Sequence, residues 1–66
     1  MKNVYIVKAC DEIFEVYGNK KRAVQAVEAL AETQGREITE TMRYTHLMTF
    51  WDDCDQIAEI RIEPVL

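Results

Sequence analysis

Hydrophobic and polar positions divide this chain into a short series of elements. Asn3, Val4, Tyr5, Ile6 and Val7 form a run of β-branched and aromatic residues, which predicts a strand. Cys10, Asp11 and Glu12 interrupt it. Ile13, Phe14, Glu15, Val16 and Tyr17 then predict a second strand, joined to the first as an antiparallel hairpin because the connection is so short. Gly18 and Asn19 punctuate the chain, and Asn19 is a good helix N-cap. Residues 20–34 are strong helix formers. At 100° per residue, Ala23, Val24, Ala26, Val27, Leu30 and Ala31 share one arc, which predicts an amphipathic helix with one buried face. Gly35 is the expected stop.

Residues 38–51 alternate. Ile38, Met42, Tyr44, His46, Met48 and Phe50 have one parity, with Glu40 breaking the apolar row once. The threonines at 39, 41, 45 and 49 have the other parity, with Arg43, Leu47 and Trp51. Threonine on one side favours strand, with a helix over residues 37–47 as the alternative. A strand of this length far exceeds the usual five or six residues. A bend, bulge or break is therefore expected at residues 44–46, or else a strand that reaches beyond its own subunit. Residues 52–55 read as the turn of a second hairpin. Residues 56–63 read as the last strand, with Ala58, Ile60 and Ile62 inward and Pro64 as its end. The expected fold is a single α+β domain over residues 1–66: a four-stranded, mainly antiparallel sheet in ββαββ order, with one amphipathic helix on one face.

One helix covers one face of such a sheet. If that face takes Ile6, Phe14, Val16, Phe50, Ile60 and Ile62, the other still holds Tyr5, Val7, Ile13, Tyr17, Leu47, Trp51 and Ile57. Both parities of the first strand are apolar, the pattern of a strand buried on two sides. An exposed apolar patch of this kind marks an interface, and Tyr and Trp are enriched at binding hot spots. Tyr5, Tyr17 and Trp51 are the expected partner-binding anchors, and a homodimer is the simplest arrangement that uses them.

Charge adds two further candidates. The chain carries 12 acidic and 8 basic residues, a net charge of −4, so a nucleic-acid partner is not expected. Asp52, Asp53 and Asp55 gather in the second turn and form the expected charged element for a basic partner. Lys20, Lys21 and Arg22 stand at the helix start beside Asn19, the wrong end for the helix dipole, and make an anion site the alternative use of this surface.

Catalysis and cofactors find little support. There is one histidine, His46, and no serine, and the carboxylates show no pairing that would mark a general acid and base. Cys10 and Cys54 lack metal-binding spacing and are expected to be thiols, Cys54 with a raised pKa among acids. No metal, cofactor or enzymatic activity is expected. No apolar run reaches the length of a membrane span, and the first nine residues lack the core of a signal peptide. The expected location is the cytoplasm.

The strand Val4-Tyr5-Ile6-Val7, the passage Val16-Tyr17-Gly18-Asn19-Lys20-Lys21-Arg22-Ala23 and the last strand Ala58-Glu59-Ile60-Arg61-Ile62 together resemble a diffuse group of short proteins encoded by bacteriophages and mobile elements. The resemblance spans most of the chain as a pattern of residue classes, and residues 38–51 depart from it. It implies an accessory protein of the bacterial host cell that acts by binding, in the manner of inhibitors of host enzymes or of anti-phage defence. The expected function is a non-enzymatic module that sequesters a host protein. The alternatives are a binder or sponge for a small anionic ligand such as a nucleotide, using the basic helix start, and a small nucleic-acid-binding regulator.

Overall fold

The computed structural model describes residues 2–9 and 12–65, the side chains of residues 12–14 excepted. The elements are β1 (Lys2–Ala9), β2 (Glu12–Tyr17), α1 (Lys20–Thr33), β3 (Glu40–Arg43), β4 (Leu47–Trp51) and β5 (Gln56–Val65). They form one helix and a five-stranded sheet in the order β2-β1-β5-β4-β3, with every neighbouring pair antiparallel. The α+β class holds, but the sheet has five strands where four were expected.

The extra strand comes from the break at residues 44–46. Tyr44 N–H donates to the Leu47 carbonyl at 2.7 Å and folds the long alternating segment back on itself as the β3–β4 hairpin. That reversal also changes which residues share a face. Met48 stands opposite Arg43 and Phe50 opposite Thr41, so Met42 parts from Met48 and Phe50 and joins Thr49. A straight strand would have kept all three apolar groups together.

The helix ends as its sequence dictates. Asn19 is extended (φ −143°, ψ 128°), and its side-chain oxygen accepts from Arg22 N–H at 3.3 Å. At the other end Gly35 adopts φ +68°. The Arg36 N–H then reaches back to the Ala31 carbonyl at 2.8 Å and the Gly35 N–H to Glu32 at 3.0 Å, a Schellman closure. Ala23, Val27 and Ala31 are the buried stripe, and α1 lies over β1, β5 and β2.

Beneath the helix Val7, Met48, Phe50, Ala58 and Ile60 complete the core, with Tyr5 and Tyr17 packed against it. Ile57 joins them because the register shifts between Phe50 and Trp51, which lets adjacent residues of β5 both be buried. The last strand does not stop at Pro64, which pairs with Asn3. Ile62 N–H points to the β4 side, where His46 accepts it. Two residues on, the missing N–H of Pro64 faces the same side, beyond the end of β4 at Leu47, so no ladder bond is lost.

The side chains of Ile13 and Phe14, and Cys10 with any pairing it makes, lie outside the described residues. Cys54 is a free, exposed thiol.

Candidate interaction surface

In an antiparallel sheet, residues directly opposite one another project to the same face. Tyr5 faces Ile62 and Tyr17, and Val7 faces Ile60, which places all five on the helix side. Ile6 faces Val16 and Arg61, Leu47 faces Arg61, and Thr49 faces Glu59 and Met42. These form the other face, which no helix covers. The faces of β1, and of Val16 and Tyr17 on β2, are therefore the reverse of the expectation. Val4, Ile6 and Val16 look outward, and Tyr5, Val7 and Tyr17 look into the core.

The three expected aromatic anchors do not converge. Tyr5 and Tyr17 form a cross-strand pair against the core, and the Tyr17 hydroxyl donates to Glu15 Oε2 at 2.9 Å. That bond to a carboxylate, then burial and the carboxylate's charge, raise the Tyr17 pKa above its ordinary value. Only Trp51 belongs to the open face. Its indole N–H donates to Thr49 Oγ1 at 2.9 Å, laying the ring over Thr49, which is 7% exposed although no helix covers it.

The open face is contiguous and mixed. Val16 is 53% exposed and Met42 39%, while Val4, Ile6, Leu47 and Trp51 are half-buried among their neighbours. By register, its charges are Lys2, Lys8 and Arg61 against Glu40, Glu59 and Glu63. They balance on a protein whose overall charge is −4.

The acidic turn divides by role. Asp52 Oδ1 accepts from the N–H groups of Cys54 (2.8 Å) and Asp55 (2.7 Å), while Oδ2 pairs with Arg36 Nε at 2.7 Å. Asp52 therefore clamps the β4–β5 turn to the segment that leaves the helix. The Arg36 guanidinium and the two N–H donors hold its carboxyl well below the usual carboxylate range. Asp53 and Asp55 are exposed.

Asn19 is occupied as a cap, and Lys20, Lys21 and Arg22 are exposed around the helix start. His46 is exposed in the β3–β4 turn. Among the described residues no group of three His, Cys, Asp or Glu side chains could hold a metal ion, and no helix is long and apolar enough to cross a membrane.

Residue-by-residue reading missed Val4, Ile6, Val16 and Met42 as surface groups and Arg36 as the partner of Asp52. With both parities of β1 apolar, the pattern carries no signal for which one faces the helix. In comparisons with known proteins, no family model, no curated protein and no solved structure matches the chain.

Proposed function

We propose that the protein is a non-enzymatic protein-binding module that pairs with a second copy of itself through the open sheet face. The observation that carries this reading is the row Val16, Ile6, Arg61 and Leu47 across four strands, apolar except for Arg61 and flanked by Val4, Met42 and Trp51, on a face with balanced charge. A two-fold axis parallel to the strands, between β1 and β5, sets the β1 of one copy over the β5 of the other. Lys8 then stands opposite Glu59 of the partner subunit, and the reciprocal contact follows by symmetry. Five strands spaced about 4.8 Å apart offer on the order of 500 Å² per copy. Pairing would bury about 1,000 Å² in all, the threshold of a specific interface.

In this reading the dimer sequesters a host protein in the bacterial cytoplasm, the role that the resemblance to short phage-encoded proteins suggests. Asp53 and Asp55 are the exposed charges offered to a basic partner. Asp52 is not among them, because its charge is engaged within the fold.

Trp51 is the single tryptophan and lies on the open face, so its emission reports pairing directly. Dilution from about 100 μM to 1 μM, a range that brackets a modest dimer affinity, should red-shift the emission of the wild type. The Val16→Glu variant should show the shifted emission at every concentration. Concentration-independent emission from a folded wild type would count against self-pairing.

A further inference from the structure

A second surface lies on the helix side. The helix covers β1, β5 and β2 but stops short of the β3–β4 hairpin, so a groove of about 340 Å³ opens between α1 and that ledge. Its walls and floor are Val24, Ile38, Met48 and Phe50, with Met48 and Phe50 each only 3% exposed. Lys20, Glu28, Thr41 and Arg43 stand around it. The side chains of Lys20 and Arg43 are exposed, and among the described residues neither makes an ion pair. Two unpaired cations and one acid thus border an apolar recess whose volume falls in the range of small-ligand sites.

We propose that this groove binds a small amphipathic anion, an acyl or aryl group carrying one carboxylate, sulfonate or phosphate. The apolar body lies against Val24, Ile38, Met48 and Phe50. The anionic head is held by Lys20 and by Arg43, whose planar guanidinium donates to two oxygens at once. Glu28 disfavours a second negative charge on the ligand and leaves the net rim charge matched to a monoanion. The site differs from the helix start alone. Lys21 and Arg22 take no part in it, and Arg43 reaches it from a distant point in the sequence. Nor does it depend on the open face, which lies on the opposite side of the sheet.

The test is a titration of the isotope-labelled protein with decanoate, followed by amide NMR, with inorganic phosphate as the headgroup-only probe. At about 1 mM decanoate, the weak end of specific affinity, amide shifts should concentrate at Val24, Ile38, Thr41, Arg43, Met48 and Phe50. Phosphate should leave these amides unmoved. Arg43→Ala and Lys20→Ala alter exposed side chains and leave the fold intact. Each should weaken decanoate binding about tenfold, the usual effect of losing one charge-assisted hydrogen bond. Glu32→Ala, exposed on α1 and outside the groove, should bind as the wild type does. Three results would each overturn the proposal: no groove shifts with decanoate, the same shifts with phosphate alone, or unchanged affinity in Arg43→Ala.

Discussion

At the scale of single residues, Asp52 shows how one side chain can look like a surface charge and act as a fastener. In sequence it is one of three aspartates in four positions. In the fold it accepts two backbone N–H bonds and pairs with Arg36, sixteen positions away. Nothing local distinguishes it, because Arg36 becomes its neighbour only when the helix exit folds against the β4–β5 turn. Its folded pKa is depressed, so the stability it contributes is present above the unfolded value of about 3.9 and is lost as pH falls toward the folded value. Asp52→Asn keeps the turn acceptor and loses the charge. It should melt below the wild type at neutral pH, with the gap narrowing between about pH 5 and pH 2. A gap that stays constant over that range would remove the ionic role. Asp52→Ala, which loses both functions, should melt lower still at neutral pH. Reversal of Asp53 and Asp55 alone should leave the melting temperature nearly unchanged, since surface substitutions of this kind usually fall within about 0.5 kcal/mol.

At the scale of elements, the helix was legible almost residue for residue. Its start depends on Asn19, its stop on Gly35 and its buried stripe on the spacing of Ala23, Val27 and Ala31. All three are local or periodic signals. Gly35→Ala meets nothing within 4 Å, so its cost is that of the left-handed backbone alone. That cost is about 1–2 kcal/mol. A domain this small should melt roughly 4–8 °C lower for each kcal/mol lost, and an unchanged melting curve would mean that the Schellman closure contributes nothing. Most strand positions were legible too, and a break at residues 44–46 was one expectation for the long segment, but the fifth strand it creates was not foreseen. The faces of β4 and β5 were legible as well, apart from Ile57, but those of β1 and of Val16 and Tyr17 were not. Alternation fixes which residues of a strand go together but not which set meets the helix, and β1 is apolar on both sides. The hairpin made by Tyr44 and Leu47 then exchanged Met42 for Thr41 and Arg43 beside Met48 and Phe50. One turn, invisible to periodicity, thereby produced both the ledge of the groove and the exposed Met42.

At the scale of the whole molecule, one helix and five strands surround a single small core. Chains of this length hold roughly 3–10 kcal/mol of stability. Ile60 sits on the central strand, paired with Val7 on one side and Met48 on the other, and is fully buried. Ile60→Ala should cost about 2–5 kcal/mol and leave much of the protein unfolded at 37 °C, as circular dichroism would report. The same scarcity of core explains the open face. The helix has only enough apolar surface for one side of the sheet, and Val4, Ile6, Val16 and Leu47 remain on the other. In the proposed dimer a second copy supplies the missing cover and adds stability by mass action.

Sedimentation equilibrium of the wild type beside Val16→Glu tests this directly, because Val16 is already 53% exposed and a glutamate there disturbs no core packing. At about 50 μM, well above the dissociation constant of a modest dimer, the wild type should sediment at twice the 7.7 kDa chain mass and the variant at the single-chain mass. A wild type that stays monomeric, or a Val16→Glu protein that dimerises equally well, would contradict the assignment of the open sheet face as the contact surface.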